Sequence, residues 1–98
     1  MAADQATAVQ AVSGRVSGVV QGVFFRASTR DRALALGLRG WVRNTADGAV
    51  EVMLVGTGDA LAEMRAWLHE GPPRASVSRV DLAPCAPESG LDGFEVRG

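Results

Sequence analysis

Residues 18–26 read G-V-V-Q-G-V-F-F-R and lie between a segment with strand-like alternation and a segment with helical periodicity. The two glycines let the backbone turn where a side chain would clash, so several N–H groups can converge on one point. A helix that starts near Phe24 or Phe25 adds its unpaired N–H groups and the positive end of its dipole. Arg26 follows directly, and its planar guanidinium can hold a phosphate through two parallel hydrogen bonds. The stretch therefore predicts an anion site at a strand-to-helix turn.

The chain of 98 residues is long enough for one hydrophobic core and too short for two domains. We predict a mobile arm at residues 1–8 and a single domain at residues 9–98. The net charge is −1 and no basic tract is present, which gives no support for nucleic-acid binding. The first residues carry an acid where a signal peptide needs basic residues, and no apolar run approaches the roughly 20 residues of a membrane span.

The chain has one cysteine, Cys85. A single thiol cannot form an internal disulfide and cannot supply a cysteine-based metal cluster. We therefore expect a cytoplasmic protein without a disulfide scaffold and without a cysteine-based metal cluster.

The first segment, Val9–Ser17, alternates between apolar and polar residues and predicts a half-buried strand. After the glycine loop, apolar or small residues at spacings of four, four and three predict a helix with one buried stripe, namely Phe25, Thr29, Ala33 and Leu36. Leu34 lies off this stripe and is expected to be exposed. Gly37 is a plausible C-terminal stop.

A β-hairpin follows, with strands at Leu38–Asn44 and Ala49–Val55. The sequence T-A-D-G joins the strands, and Asp47-Gly48 is expected to supply the positive-φ turn. In the second strand Val50, Val52 and Leu54 share one face, whereas Glu51 and Met53 face the other way.

The last third of the chain predicts a helix and two strands. The helix is expected to run from an N-cap at Asp59 to about Glu70, with Leu61, Met64 and Leu68 buried. Ser76–Leu82 resembles a strand whose alternation slips at Arg79-Val80, which suggests a bulge. Gly93–Arg97 is a short strand that is expected to direct Phe94 and Val96 into the core.

This order, β-α-β-β-α-β with a short terminal strand, predicts an α+β fold. Two right-handed β-α-β units would interleave as a ferredoxin-like sandwich, in which an antiparallel sheet carries both helices on one face and a short extra C-terminal strand is added. Since this fold hosts phosphatases, RNA binders, metal carriers and ligand sensors, it identifies no function by itself.

Two stretches taken together resemble the acylphosphatase family. Residues 18–26 resemble its first signature, Gly-x-Val-Gln-Gly-Val-x-Phe-Arg. Residues 40–51, G-W-V-R-N-T-A-D-G-A-V-E, resemble the second, Gly-Trp-Val-x-Asn-x-x-Asp-Gly-x-Val-Glu. The likeness continues through G-L-R-G-W, W-L-x-x-G-P-P and G-F-E-V-R, so it covers nearly everything from Val9 onward.

The resemblance implies a free-standing, monomeric enzyme that hydrolyses an acyl phosphate to a carboxylate and inorganic phosphate, without metal or cofactor. Inorganic phosphate would be both product and inhibitor. In that family the loop and its arginine hold the phosphoryl group and an asparagine positions the attacking water, which implies catalytic roles for Arg26 and Asn44. The implied substrate-binding residues are Gly18, Val19, Val20, Gln21, Gly22, Val23, Phe24, Phe25 and Thr45. For Thr45 two alternatives stay open: it supports Asn44, or it is simply the residue at which the chain leaves the strand.

The chemistry is consistent with such a site. Fixed N–H donors and a guanidinium stabilise the charge that phosphoryl transfer spreads over three oxygens. A carboxylate leaving group is a weak base and needs no general acid. Asn44 can orient a water but cannot take its proton, so we expect the substrate's phosphate oxygens to take it. His69, which is remote from both motifs in sequence, is expected to complement a helix dipole instead.

Two other functions are alternatives to hydrolysis. A binding module could hold phosphate, an acyl phosphate or carbamoyl phosphate without rapid turnover. RNA binding on the open sheet face is disfavoured, because the two expected central strands carry no aromatic residue on which bases could stack.

Overall fold

The computed structural model describes residues 8–98. The predicted arm at residues 1–8 lies outside the described residues except for Ala8. The elements are β1 (Val9–Val19), α1 (Phe25–Ala35), β2 (Arg39–Asn44), β3 (Val50–Thr57), α2 (Gly58–Leu68), β4 (Ser76–Pro84) and β5 (Phe94–Arg97). None of the helices within residues 8–98 has the length and apolar character required to cross a membrane.

The five strands form one sheet in the order β4-β1-β3-β2-β5. The four strands of the β-α-β-β-α-β unit pair antiparallel, as predicted for a ferredoxin-like sandwich. Strand β5 pairs parallel to β2, which makes the whole sheet mixed. Because β4 and β5 lie at opposite edges, the chain between them has to cross the sheet. The ferredoxin-like fold and its extra strand are confirmed, and the expectation of a fully antiparallel sheet holds for four strands of the five.

The main core lies between the sheet and the helices. The side chains of Val16, Val42, Val50, Val52, Leu54, Met64 and Leu68 are completely buried there. Phe25 of α1 packs against Trp67 of α2 with ring centroids 5.8 Å apart, which ties the two helices together. The expected stripe of α1 is buried at Phe25, Thr29 and Ala33, whereas Leu34 is exposed as predicted.

A second, smaller cluster covers part of the opposite sheet face. It consists of Ala11, Met53, Val55 and Leu91, with Trp41 and Cys85 packed against it. Met53 does face away from the main core, as predicted, but residue 91 of the crossing segment helps to bury it. The face on which an RNA-binding domain of this fold would stack bases is therefore partly occupied by the protein itself.

Four details differ from the sequence-based expectations. Helix α2 is capped by Thr57, whose hydroxyl accepts from the N–H of Ala60 at 3.2 Å, and Asp59 lies within its first turn. The side chain of Thr57 reaches this N–H three residues ahead, as an N-cap does. The expected bulge lies one residue earlier than predicted. Ser17 pairs with Arg79 and Gly18 with Val77, so Ser78 is the extra residue.

The other two differences from the sequence-based expectations concern the hairpin turn and β5. In the turn, Gly48 has a φ of 93° while Asp47 keeps a negative φ, so the positive-φ requirement falls on the glycine alone. In β5, Phe94 enters the core as predicted, but Val96 is 40% exposed. Val96 instead lines the pocket described below, together with Arg26 and Asn44.

Candidate active site

The turn between β1 and α1 presents a row of unpaired amides. Gly22 has a φ of 74° and Phe24 a φ of 63°, so two left-handed residues shape the turn. In the described part of the chain, the N–H groups of residues 21–27 donate to no protein acceptor, and the intrahelical bonds of α1 start with Ser28 donating to Phe24. Alternation of left- and right-handed residues makes a backbone concavity that binds anions. The start of α1 carries no acidic residue that would repel one.

A pocket of about 290 Å³ opens in front of this turn. Its walls come from the turn, the first residues of α1, the end of β2 and strand β5. The lining residues are Val20, Gly22, Phe24, Phe25, Arg26, Ala27, Asn44 and Val96. Arg26 is the one charged residue among them, so the pocket favours an anion.

Arg26 is held by strand β5. Its Nη1 donates to the main-chain carbonyl of Arg97 at 3.0 Å. This bond uses one of the five N–H donors of the guanidinium and leaves the others for a ligand. Because α1 carries Arg26 and β5 carries the carbonyl, the position of the guanidinium depends on two elements that are distant in the sequence.

Asn44 ends β2, where it pairs with Val50 of β3. Its Oδ1 is buried and has no hydrogen-bond partner among residues 8–98. A buried acceptor without a partner carries a desolvation cost that a bound water or ligand would remove. Since the side chain lines the pocket, that missing partner is expected there.

Gln21 connects the turn to the hairpin loop after Asn44. Its Nε2 donates to the carbonyls of Thr45 and Ala49, each at 2.8 Å. Through these contacts Gln21 shapes the loop. They also hold the segment after Asn44 against the anion turn, which couples the two signature stretches.

Thr45 is occupied within the hairpin loop. Its hydroxyl donates to the carboxylate of Asp47 and accepts from the N–H of Ala49 at 3.0 Å. Arg15 of β1 also contacts the Asp47 carboxylate. The Thr45 hydroxyl, and next the Arg15 guanidinium, lower the pKa of Asp47 to about 2. Both contacts of the Thr45 hydroxyl lie within the hairpin loop, so its support of Asn44 stays a prediction.

The structure brings part of the predicted set to the pocket. Six of the predicted residues line it: Val20, Gly22, Phe24, Phe25, Arg26 and Asn44. Five do not: Gly18, Val19, Gln21, Val23 and Thr45. Gly18 lies in β1 opposite the bulge, where a Cβ would come within 2.2 Å of the Ser76 carbonyl, so close strand packing explains this glycine. The roles of all eleven residues in substrate binding and catalysis remain predictions.

Sequence reasoning missed two contributions from β5. The alternation of β5 predicts Val96 in the core, and nothing in the sequence indicates a role for the carbonyl of Arg97. A strand of alternating residues gives no signal for which edge of the sheet it will join. His69 lies elsewhere and lines a separate cavity with Gln10 and Arg65. No group of three or more metal-ligating His, Cys, Asp or Glu side chains occurs within residues 8–98.

The fold and the pocket define a ferredoxin-like α+β domain with an arginine-containing anion site. The Acylphosphatase family model matches residues 12–96. An acylphosphatase from Xanthomonas oryzae pv. oryzae is 56% identical over 78 residues, which is 80% of this chain and 89% of that protein. The chain therefore belongs to the acylphosphatase family.

Solved structures give the same assignment. An acylphosphatase from Coxiella burnetii superposes with a TM-score of 0.86 at 43% identity, covering 91% of this chain and 93% of that one. An acylphosphatase from Bacillus subtilis superposes with a TM-score of 0.85 at 30% identity, covering 93% and 100%. The likeness thus extends over nearly the whole described domain.

Proposed function

We propose that this enzyme hydrolyses acyl phosphates to a carboxylate and inorganic phosphate, with the phosphoryl group held by the amides of residues 21–27 and by Arg26. The main supporting observation is that one pocket is lined by residues with three features: the unpaired amides of Gly22 and of residues 24–27, the anchored guanidinium of Arg26 and the unpaired Oδ1 of Asn44. Membership of the acylphosphatase family supports the same reaction.

Binding of the phosphoryl group rests on donors that are fixed before the substrate arrives. Backbone N–H groups and the start of α1 supply partial positive charge, and Arg26 supplies a full one. During transfer the charge spreads over the equatorial oxygens, so donors fixed around those oxygens lower the barrier. Since the hydrogen bond to Arg97 holds one end of the guanidinium, little reorientation is required on binding.

Asn44 is assigned the role of orienting the attacking water. Its Oδ1 would accept a hydrogen bond from that water and direct the oxygen lone pair at phosphorus. Asn44 and Arg26 line the same pocket, so water and phosphoryl group can be adjacent. Positioning of this kind can supply several kcal/mol of a barrier, roughly 7–11 kcal/mol at its upper limit.

The proton of the water is assigned to the phosphate oxygens of the substrate. Among the lining residues there is no His, Cys, Asp or Glu that could act as a base, and His69 lines another cavity. The carboxylate leaves without protonation because carboxylic acids have pKa values of about 4 to 5. A rate that rises with a single protein pKa near neutrality would contradict this assignment.

Steady-state hydrolysis of benzoyl phosphate tests the function. Loss of ultraviolet absorbance should show many turnovers per enzyme, unaffected by a chelator, and inorganic phosphate should inhibit competitively. Binding of phosphate without multiple turnover would favour the binding-module alternative instead. We also infer a monomer in the cytoplasm, which size-exclusion chromatography and fractionation would test.

A further inference from the structure

Two exposed apolar side chains stand at the pocket. Phe24 is 76% exposed and Val96 is 40% exposed, and both line the same cavity as Arg26. They come from separate elements, the β1–α1 turn and strand β5. The other large apolar residues of the lining, Val20 and Phe25, are 1% exposed and belong to the core.

Core packing does not explain the phenylalanine at position 24. Its backbone is left-handed, with φ 63° and ψ 23°, a conformation that glycine or asparagine adopts more readily than an aromatic residue. Its side chain is mostly in solvent, so little apolar burial offsets this strain. Unfavourable backbone geometry that persists without a packing reason points to a role at the site.

The polar groups of the pocket are already assigned to one half of the substrate. The amides of residues 21–27, Arg26 and Asn44 suit a charged phosphoryl group and its water. An acyl phosphate also has a carbon half, which needs apolar contact and no charge. The side chains of Phe24 and Val96 are the exposed apolar surface that the pocket offers to it.

The space beside them is sufficient for more than phosphate. Apart from Gly22 and its neighbours Gln21 and Val23, no residue within 8–98 has an atom within 4 Å of the point where a side chain on Gly22 would begin, so the approach next to the turn is open. The pocket volume of about 290 Å³ is close to the lower end of the roughly 300–1,000 Å³ typical of small-molecule sites.

We propose that Phe24 and Val96 form an acyl subsite that selects acyl phosphates with an aryl or branched alkyl group over acetyl phosphate. The inference rests on the proposed function and adds a substrate class to it. Contact with an aromatic ring and a valine gives an apolar acyl group a favourable environment that a methyl group uses only in part.

The test compares kcat/KM for benzoyl phosphate with kcat/KM for acetyl phosphate. We expect the wild-type ratio to exceed about 10, the discrimination that one or two methylene-sized apolar contacts provide. In Phe24→Ala the ratio should fall about tenfold, and in Val96→Ala about threefold. Leu34→Ala is the matched control, because Leu34 is 52% exposed on α1 and does not line the pocket, so its ratio should equal that of the wild type.

A second readout does not depend on turnover. Calorimetry should show tighter binding of phenylphosphonate than of methylphosphonate, and Phe24→Ala should reduce this preference by a similar factor. If Phe24→Ala folds poorly, Phe24→Gly suits the left-handed backbone and carries the same test.

The outcomes separate the two proposals. Wild-type protein that turns over neither substrate contradicts the proposed function. Turnover of both substrates with a ratio near 1, or an equal loss for both substrates in Phe24→Ala and Phe24→Gly, overturns the acyl subsite and leaves the hydrolase intact.

Discussion

The guanidinium of Arg26 and the main-chain carbonyl of Arg97 are joined by a hydrogen bond of 3.0 Å. Arg26 lies in the first turn of helix α1, and Arg97 ends β5, the strand that pairs parallel to β2. The added strand therefore does more than extend the sheet, because it fixes the orientation of the charged group that is proposed to bind the phosphoryl oxygens.

Replacement of Arg26 should abolish activity without unfolding the protein. Arg26→Ala is expected to lower kcat/KM for benzoyl phosphate at least about a thousandfold and to remove inhibition by phosphate. Arg26→Lys should recover less than about tenfold, since an ammonium cannot bond Arg97 and also offer two parallel donors to phosphate. Arg30→Ala is the matched control, because Arg30 lies on α1 outside the pocket and its side chain contacts the exposed Asp31. Near-normal activity of Arg26→Lys would refute the need for a planar fork.

Asn44→Ala should slow the chemical step much more than it weakens phosphate binding. The rate is expected to fall at least about a hundredfold, equivalent to about 2.7 kcal/mol, while the inhibition constant of phosphate changes far less. The measurement is kcat together with phosphate inhibition, with circular dichroism to confirm the fold. Full activity in a folded Asn44→Ala protein would eliminate the water-orienting role.

Gln21→Glu should destabilise the protein more than Gln21→Ala does. Gln21→Ala removes two hydrogen bonds to carbonyls that keep other partners, which should cost about 1–2 kcal/mol of stability. Gln21→Glu places a carboxylate against the same two carbonyls and should cost more, with a larger loss of kcat. Chemical denaturation of both variants tests this order, and equal stabilities would show that the contacts matter little.

The fold could be predicted from the sequence because the patterns that indicate its helices, strands and turns are local. Each of these patterns lies within a short stretch of sequence: the alternation at Val9–Ser17, the buried stripe of α1 with spacings of four, four and three, and the glycine of the T-A-D-G turn. Together they predict the order of the elements. Both site residues were likewise marked by contiguous stretches, through the family resemblance. The features of the structure that the sequence does not predict depend on tertiary contacts or on backbone geometry.

The Arg97 carbonyl is one such case, since a backbone atom has no residue identity and its partner lies 71 positions away in the chain. The two bonds of Gln21 also end on backbone carbonyls. The parallel pairing of β5 depends on which edge is vacant after β4 has taken the other. The left-handed Phe24 contradicts local preference, so no propensity argument would have predicted it.

The strain at Phe24 predicts an unusual order of stability. Phe24→Gly should be more stable than Phe24→Ala by about 1 kcal/mol, because alanine keeps the cost of a positive φ that glycine avoids. In most exposed positions alanine is the more stable of the two. Thermal and urea denaturation of the pair provide the measurement, and a more stable alanine variant would show that the turn relaxes out of the left-handed region.

Asp47 should contribute to stability only above strongly acid pH. The pKa of its carboxyl is lowered from 3.8 to about 2 in the folded protein, first by the Thr45 hydroxyl and then by Arg15. A depressed folded pKa means that the contribution is present above about pH 4 and is lost as the pH falls toward 2. The difference in Tm between wild type and Asp47→Asn should therefore shrink between pH 7 and pH 2.5. A difference that stays constant across this range would show that the ionised carboxylate is not what stabilises the turn.

The position of bond cleavage tests most directly whether water attacks phosphorus in this pocket. Benzoyl phosphate is hydrolysed in water enriched in oxygen-18, and the two products are analysed by mass spectrometry. Attack on phosphorus under the control of Arg26 and Asn44 places one labelled oxygen in inorganic phosphate and none in benzoate. Label in benzoate would mean attack at the carbonyl carbon and would contradict the proposed mechanism.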